Sequence, residues 1–385
     1  MNGDQEFIRE TLRLASQGRG LVSPNPLVGS VAVADGKIIG SGFHRYAELK
    51  HAEVWAIEQA GTNARGATLY VNLEPCSHTG SGKRTPPCVD AILNAGISRV
   101  VAATLDPNPK VNGKGFDRLR QSGVTVDVGL SAAEASRLNE IYFKFVTRKL
   151  PFVHIKSGMS LDARITTRTG ESKWITSEDS RNAAQALRHE HDAILVGLGT
   201  AQADDPLLTD RSGLKRHRPL VRVVLDAGLR LSPSSRLVNS AAQEPLLVFT
   251  ADCEILDSMG FPVVTEWGST FEDRRQLLAS KGVEIVRVPV NGALLDLPTV
   301  LEELGRRDIS SVLVEGGASV SASLVEQRLV DKFTFYVAPM IIGGSEARPA
   351  IGGEGVDFLA DAFRLRDLSV SRCGVDLVIT AYPQS

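Results

Sequence analysis

Residues 51–60, which read HAEVWAIEQA, decide how this chain is interpreted. The apolar residues Val54, Ile57 and Ala60 have helical spacing, so His51-Ala52-Glu53 is predicted to lie in a first helical turn. Downstream, Pro86-Pro87 before Cys88 is typical of another helix start, because proline is favoured at the beginning of a helix. The partial positive charge of a helix N-terminus favours a thiolate over a thiol, which suits Cys88 as a metal ligand.

One histidine and two cysteines of this region form a set of zinc donors. His51, Cys76 and Cys88 offer one neutral imidazole and two thiolates, which leave the fourth tetrahedral position of Zn²⁺ for water. The order H-x-E…P-C…C is typical of zinc-dependent deaminases, whose glutamate carries protons to the departing amine. We therefore predict one Zn²⁺ bound by His51, Cys76 and Cys88, with Glu53 as the catalytic residue.

Two other interpretations compete with this one. A single histidine or cysteine is more often a packed core residue than a ligand, although four residues in the required order make coincidence improbable. A purely structural zinc site normally has four protein ligands, and His78 is the available fourth donor. That alternative leaves Glu53 without a role.

Length and composition are those of an ordinary globular enzyme. The chain has 385 residues, 43% hydrophobic and 23% charged, so two domains are expected. A formal charge of −2 gives no electrostatic reason to expect a nucleic-acid partner. The amino terminus reads as an amphipathic helix without a secretory core, and no run is long enough to span a membrane. Cys253 and Cys373 are far apart and are interpreted as structural or surface thiols, which favours a reducing cytoplasm.

Strand-like and helical segments alternate along the chain, which predicts an α/β fold with helices on both faces of a sheet. In the first part we predict strands at Val28–Val33, Thr68–Asn72, Arg99–Ala103 and Val124–Val128, and helices at Glu6–Gln17, Ala52–Ala60, Val89–Ala95, Gly115–Ser122 and Ser131–Val146. A new strand begins at Phe152, so we place the domain boundary near Arg148, with domains at residues 1–148 and 149–385.

The second part repeats the alternation. Predicted strands are Phe152–Lys156, Ala193–Val196, Leu220–Asp226, Leu246–Phe249, Val283–Val288, Ser311–Val314, Phe333–Ala338 and Val375–Ala381; predicted helices are Ser180–His189, Arg274–Ser280, Leu297–Gly305 and Ser319–Gln327. The turn Glu315-Gly316-Gly317 between a strand and a helix indicates a site where backbone N–H groups approach an anion. Gly197-Leu198-Gly199 fails as a dinucleotide fingerprint, because Gln202 stands where glycine is needed. His189-Glu190-His191 is interpreted as a solvated helix end rather than a metal site.

Nearly the whole chain resembles the bifunctional riboflavin-biosynthesis deaminase–reductases. In the first half the resemblance rests on Asn25-Pro26-Leu27-Val28-Gly29, Gly42-Phe43-His44, His51-Ala52-Glu53, Leu73-Glu74-Pro75-Cys76-Ser77-His78, Thr85-Pro86-Pro87-Cys88 and Asp106-Pro107-Asn108-Pro109. In the second half it rests on Ser160-Leu161-Asp162, Ser172-Lys173-Trp174-Ile175-Thr176, Leu187-Arg188, residues 192–197, Thr200, residues 204–209, Glu315-Gly316-Gly317 and Ala338-Pro339.

This resemblance implies a cytidine-deaminase-like domain followed by a dihydrofolate-reductase-like domain. It also implies hydrolytic deamination of a phosphoribosylated diaminopyrimidinone, then NADPH-dependent reduction of its ribosyl group to ribityl. The positions that match NADPH contacts are Gly158, Trp174, Thr200, Asp204, Ala227 and Gly317, Ala318, Ser319, Val320, Ser321, Ala322, Ser323. Those that match substrate contacts are Ser172, Arg188, Leu208, Arg211 and Glu315. A homodimer or higher oligomer through the reductase domain is implied as well.

The chain departs from the family pattern at three places. Ser81-Gly82-Lys83 lengthens the connection between Cys76 and Cys88, while Glu48 and Ala163 stand where the family usually has glycine. Two rival functions remain at this stage. The second half could be a binding module beside a deaminase of another nucleotide or nucleic-acid base, or it could be the sole active unit beside a structural zinc domain.

Overall fold

The computed structural model describes residues 3–79, 85–251, 270–292 and 294–384. The loop Ser81-Gly82-Lys83 and Cys253 lie outside the described residues. The chain forms two compact units. The first comprises Met1–Lys149 with Lys215–Arg218, and the second comprises Leu150–Leu214 with Pro219–Ser385. Within the described parts, no helix combines the length and the apolar character that crossing a bilayer requires.

The first unit is a sheet covered by helices on both faces. Its helices are α1 (Gly3–Ser16), α2 (Ala52–Ala60), α3 (Cys88–Asn94), α4 (Lys114–Gln121), α5 (Ala132–Leu138) and α6 (Glu140–Arg148), with a 3₁₀ turn at Gly61–Ala64. Its strands are β1 (Gly29–Ala34), β2 (Lys37–Phe43), β3 (Thr68–Val71), β4 (Arg99–Ala102) and β5 (Thr125–Val128). The strand order is β2-β1-β3-β4-β5, antiparallel across β2-β1-β3 and parallel across β3-β4-β5.

Alternating residues of the central strands build two cores. Val31, Tyr70 and Val101 join one core with Ile8 of α1, while Leu69 and Val100 join the other with residues of α2, α3 and α4. Because side chains alternate across a strand, a strand covered on both faces is apolar throughout. The predicted helices on both faces of a sheet are therefore confirmed.

Two features of the first unit differ from the sequence prediction. Strand β2 was not predicted, because it is a partly exposed edge strand whose apolar residues are interrupted by Gly40 and Gly42. The helix predicted at Ser131–Val146 is interrupted at Asn139. There the buried amide accepts a hydrogen bond from Leu27 N (2.8 Å) and donates one to Leu27 O (3.0 Å). A tertiary contact therefore decides where this helix breaks.

The second unit is built on one large mixed sheet. Its strands are β6 (Phe152–Ser160), β7 (Ala193–Gly197), β8 (Val221–Leu225), β9 (Leu246–Thr250), β10 (Glu284–Arg287), β11 (Val290–Asn291), β12 (Leu294–Leu295), β13 (Ser311–Val314), β14 (Lys332–Ala338), β15 (Leu365–Cys373) and β16 (Asp376–Pro383). Its helices are α7 (Glu178–Glu190), α8 (Leu198–Asp204), α9 (Arg236–Asn239), α10 (Phe271–Ser280), α11 (Leu297–Arg306) and α12 (Ala318–Glu326), with a 3₁₀ turn at Leu359–Asp361.

The sheet order is β10-β9-β8-β7-β13-β6-β14-β16-β15, and β11 pairs separately with β12. In this order, each strand from β10 through β9, β8, β7, β13 and β6 to β14 is parallel to its neighbour. The last two pairs, β14 with β16 and β16 with β15, are antiparallel. Five helices and strands of this unit were not predicted, namely α8, α9, β11, β12 and β15. The edge strand β15 is exposed along almost its whole length, and α8 is too short for a clear helical period.

The two unusual replacements of glycine behave differently. Ala163 adopts φ +60°, a left-handed conformation that costs a residue with a side chain more than it costs glycine. Glu48 does not have a positive φ, and its carboxylate pairs with Arg45 at 2.7 Å. Only Ala163 therefore occupies a position that the backbone reserves for glycine.

Candidate functional sites

Three elements of the first unit bring the predicted zinc ligands together. His51 is the N-cap residue of α2, Cys88 begins α3, and Cys76 lies in the loop after β3. The imidazole Nδ1 lies 3.1 Å from Cys88 Sγ and 3.5 Å from Cys76 Sγ, and the three donor atoms lie within 4.8 Å of one another. Of the residues that the structure describes, only these three form such a group, so His78 does not complete a four-ligand site.

The Cys76 segment is held by the residue two places before it. The buried Glu74 carboxylate accepts hydrogen bonds from three backbone N–H groups, those of Asp106 (3.3 Å), Gly113 (2.9 Å) and Gly115 (2.9 Å). A Cβ on Gly115 would overlap the carbonyl oxygen of Pro75. These contacts fix the backbone on which Cys76 stands, which gives Glu74 a structural role.

The two cysteines are chemically suited to a divalent cation. The hydrogen bond from Cys88 lowers the pKa of Cys76 to about 3. The same contact, together with burial, raises the pKa of the Cys88 thiol. The contact therefore favours a thiolate at Cys76 and a thiol at Cys88. A dication would stabilise both thiolates, and a thiolate–thiolate–imidazole set is one that Zn²⁺ prefers.

Glu53 lies in the first turn of α2, two residues from His51. It is buried, with only 3% of its surface exposed, and its Oε2 has no hydrogen-bond partner within the described part of the chain. Burial raises the pKa of this carboxyl group. A buried carboxyl group with a raised pKa and an unused oxygen is suited to accepting and releasing a proton.

In the second unit, the positions that match NADPH contacts lie along one edge of the sheet. Thr200 is in α8 directly after β7, Ala227 follows β8, and Gly317 follows β13. Gly158 lies in the carboxyl-terminal half of β6. Since β8, β7, β13 and β6 are consecutive parallel neighbours, these residues form a row at the carboxyl ends of the strands, where open α/β sheets bind nucleotides.

An ion pair whose side chains are only 13% and 12% exposed connects two positions that match substrate contacts. Arg188 donates from Nε to Glu315 Oε1 (2.7 Å) and from Nη2 to Glu315 Oε2 (3.0 Å). Its Nη1 donates to the carbonyl oxygen of Thr209 (3.0 Å). Arg188 is therefore not a solvated surface charge, and its guanidinium fork is occupied by a carboxylate.

Lys156 is a residue that the sequence prediction missed. The register that pairs Val314 of β13 with Ile155 of β6 places Lys156 Nζ 3.6 Å from Glu315 Oε2. Burial acts to raise the pKa of Glu315, but the charges of Lys156 and Arg188 outweigh it and lower that pKa to about 2. Two cations around one carboxylate leave an excess positive charge. The only signal in the sequence was a lysine at the end of the predicted strand Phe152–Lys156.

The other matched positions surround the same edge of the sheet. Ser172 Oγ donates to Asp204 Oδ1 at 3.4 Å, which brings a substrate-matched and a cofactor-matched residue together. The Trp174 ring is 67% exposed, with the Arg181 guanidinium 4.6 Å from its centre. The backbone N–H of Arg211 donates to Gln185 of α7 (3.0 Å).

The interpretation of residues 189–191 as a solvated helix end is wrong. His189 and His191 are both buried, at 4% and 3% exposure. His189 Nδ1 lies 3.0 Å from Asp210 Oδ2, and His191 Nε2 lies 3.2 Å from His154 Nδ1. Residues two apart on a helix can both be buried where the helix ends against a strand and a loop.

Two family models match the chain. The model for the cytidine and deoxycytidylate deaminase zinc-binding region covers residues 1–104, and the model for the RibD C-terminal domain covers residues 151–379. The first range includes the predicted zinc ligands and Glu53, and the second includes the positions that match NADPH contacts and the Arg188–Glu315 pair.

Similar proteins match the chain over nearly its full length. The riboflavin biosynthesis protein RibD of Aquifex aeolicus is 39% identical over 98% of this chain and 97% of its own length. The Escherichia coli protein of that name is 38% identical over 98% of both chains. The structure of Acinetobacter baumannii RibD is 33% identical, with a TM-score of 0.82 over 100% of this chain and 99% of its own. A Thermotoga maritima diaminohydroxyphosphoribosylaminopyrimidine deaminase/5-amino-6-(5-phosphoribosylamino)uracil reductase is also 33% identical, with a TM-score of 0.80 over 99% of both chains.

Proposed function

The chain belongs to the RibD family of bifunctional riboflavin-biosynthesis enzymes, and we propose that its two units divide the two reactions between them. It deaminates 2,5-diamino-6-(5-phosphoribosylamino)pyrimidin-4(3H)-one and then reduces the ribosyl side chain with NADPH, which gives 5-amino-6-(5-phosphoribitylamino)uracil. We assign deamination to residues 1–148 and reduction to residues 149–385. The rival function, a deaminase with a non-catalytic second domain, does not account for a match that extends through the RibD C-terminal domain.

In the deaminase unit we assign His51, Cys76 and Cys88 to the zinc ion. When bound, zinc lowers the pKa of water and so supplies the nucleophile at neutral pH. Glu53 takes one proton from the attacking water and passes it to the ring nitrogen, and then moves the remaining hydroxyl proton to the 2-amino group, which leaves as ammonia while the ring carbon keeps a carbonyl oxygen. Its raised pKa and unused Oε2 support this shuttle.

In the reductase unit we assign the row of residues at the carboxyl ends of β6, β13, β7 and β8 to NADPH, which supplies a hydride for C1′ of the ribosyl group. Glu315, ionised between Lys156 and Arg188, faces the same edge of the sheet and is assigned to the polar groups of the substrate. Because Glu315 occupies the guanidinium fork of Arg188, we assign direct contact with the substrate phosphate to Arg211. Arg188 and Lys156 together carry the positive charge that Glu315 does not neutralise.

The observation that carries the proposal is the open three-donor group beside a buried, unpartnered Glu53 oxygen. We expect mass spectrometry of products from the diaminopyrimidinone phosphate to show the deaminated ribosyl compound without NADPH and the ribityl compound with it. Glu53→Gln should keep its zinc and form neither product, because an amide cannot shuttle protons. Given the deaminated compound, it should still reduce it.

For each variant of the deaminase site, one result would contradict the role that we assign to the residue. Cys76→Ser and Cys88→Ser should each lose zinc, since the thiolates supply most of the anchoring. Undiminished zinc in both variants would show that the metal site lies elsewhere. Substantial deamination by Glu53→Gln would show that another group moves the proton.

We propose further that the enzyme is a homodimer or higher homo-oligomer through the reductase unit. Strand β15 lies at the edge of the large sheet, and its exposed residues include Leu368 (63%) and Val370 (56%). An exposed edge strand with apolar side chains pairs readily with a second chain. Light scattering should give a multiple of 41.3 kDa, and Val370→Lys should shift the mass toward one chain.

We also propose a cytoplasmic location. The three described cysteines, Cys76, Cys88 and Cys373, are thiols rather than half-cystines, which is typical of proteins in a reducing compartment. The partners proposed are small phosphorylated pyrimidines rather than nucleic acid, because the formal charge of −2 provides no basic surface excess. Fractionation of cells that carry the tagged protein checks the location.

A further inference from the structure

One polar contact at the zinc site has no role in the proposed chemistry. Thr85 Oγ1 lies 3.1 Å from His51 Nε2, the ring nitrogen that does not face the cysteines. The other ring nitrogen, Nδ1, faces Cys88 Sγ at 3.1 Å and Cys76 Sγ at 3.5 Å. The imidazole is therefore contacted at both nitrogens, by the two cysteine sulfurs at Nδ1 and by the Thr85 hydroxyl at Nε2.

The chemistry of the ring decides which partner donates. If Nδ1 gives its lone pair to a cation, a neutral imidazole must carry its proton on Nε2. Nε2–H then donates, and the Thr85 hydroxyl oxygen accepts. Histidine ligands commonly have such a second partner, which fixes the tautomer and the ring orientation and makes the ligating nitrogen more basic.

Thr85 is well placed for this because it belongs to the same short segment as Cys88. Residues 85–88 read Thr-Pro-Pro-Cys, and proline restricts both its own φ and the conformation of the residue before it. Pro87 has φ −59° and ψ 136°, an extended conformation. The two prolines therefore keep the hydroxyl and the Cys88 sulfur at a defined separation, with the His51 ring between them.

We propose that Thr85 is a positioning residue that selects the Nε2–H tautomer of His51 and so orients its Nδ1 toward the metal. The proposal rests on the assignment of His51, Cys76 and Cys88 as zinc ligands. A hydroxyl acceptor adds no charge to the site, so a dication and two thiolates still sum to neutrality. A carboxylate in the same place would add a negative charge and disfavour the hydroxide that the site must generate.

The test compares Thr85→Val, which keeps the branched shape without the hydroxyl, with Thr85→Ser, which keeps the hydroxyl. Thr125→Val, at an exposed threonine of β5, is the matched control. We expect competition with a chelator to show zinc held about 10- to 100-fold more weakly by Thr85→Val. Thr85→Ser and Thr125→Val should hold zinc as the unaltered chain does.

A spectroscopic measurement separates positioning from packing. In the zinc-loaded protein labelled with ¹⁵N-histidine, the Nε2–H proton of His51 should exchange slowly with water in the unaltered chain and in Thr85→Ser. It should exchange faster in Thr85→Val. The far-ultraviolet circular dichroism of the zinc-loaded variants and their reduction of the deaminated compound should both be unchanged, which shows that the two units are folded.

Two results would overturn the inference. One is unchanged zinc affinity and unchanged Nε2–H exchange in Thr85→Val. The other is equal loss of zinc in Thr85→Ser and Thr85→Val, which would mean that keeping the hydroxyl does not preserve zinc binding. If the unaltered chain itself binds no zinc, the zinc assignment fails instead.

Discussion

At the scale of single residues, the two sites use buried charge in opposite ways. Glu53 is buried without a cationic side chain bonded to it, and burial raises its pKa. The Glu315 side chain is only 12% exposed, yet Lys156 and Arg188 hold its pKa at about 2. The first carboxyl group is shifted toward its protonated form, whereas the second stays ionised. The same residue type is thus suited to proton transfer in one unit and to a fixed charge in the other.

The pairing of Arg188 with Glu315 leads to a prediction for the reductase. Arg188→Ala should lower the kcat/KM of reduction by about 10- to 100-fold, as for a lost hydrogen bond to a charged group, and leave deamination and zinc content unchanged. Arg306→Ala, at an exposed arginine of α11, is the control. An unchanged reductase kcat/KM would show that Arg188 has no functional role.

A double-mutant cycle distinguishes two roles for Arg188. If Arg188 acts through Glu315, the losses from Arg188→Ala and Glu315→Gln should not add in the double variant, since both remove one ion pair. If Arg188 binds the substrate phosphate independently, the losses should add.

Asp204→Ala should differ from both single variants and raise the apparent KM for NADPH, because its position matches a cofactor contact.

At the scale of elements, the deaminase site depends on how closely α2 approaches β2. A Cβ on Gly40 would overlap the carbonyl oxygen of Ala56 and would lie 2.9 Å from the backbone nitrogen of Ala60. Since both atoms belong to the backbone of α2, the helix that begins at His51 and carries Glu53 would have to shift. Only glycine permits this packing.

We therefore expect Gly40→Ala to destabilise the first unit by about 1–3 kcal/mol, as overpacking does, and to lower deamination while reduction continues. Denaturant unfolding and the two activity assays measure these effects. Gly3→Ala in α1 is the control, because a Cβ there meets only Phe7 at an ordinary 3.9 Å. Full stability and deamination in Gly40→Ala would mean that α2 can move without disturbing the site.

At the scale of the whole molecule, the two units provide a test of the domain boundary predicted near Arg148. A fragment of residues 1–148 should deaminate without any pyridine nucleotide. A fragment beginning at Lys149 should reduce the deaminated compound with NADPH. The first fragment lacks Lys215–Arg218, which belong to the first unit, so its unfolding midpoint should be measured beside its activity. Deamination by the second fragment, or NADPH consumption by the first, would contradict the division.

Much of the fold and of the candidate deaminase site could be predicted from the sequence alone. The zinc donor set, the glutamate beside it and the α/β class could be predicted because the pattern is local: a helix start at residue 51 and another at residue 88 carry the key side chains. Strands buried on both faces, such as β1 and β13, were also predicted, since their continuous apolar character is visible without a structure. For the second half, the properties of individual residues predicted only an anion-binding turn. The reductase function was predicted from segments that resemble the family, such as Ser172–Thr176.

The tertiary structure alone decided what depends on contacts between distant parts of the chain. The edge strands β2 and β15 bury too little to leave an apolar pattern, and the break at Asn139 follows from a contact with Leu27. Lys156 joins Glu315 through strand register, and His189 is buried because Asp210 meets it from a loop. Hydrogen bonds and ion pairs between residues far apart in sequence have no local periodicity, so only the folded chain reveals them.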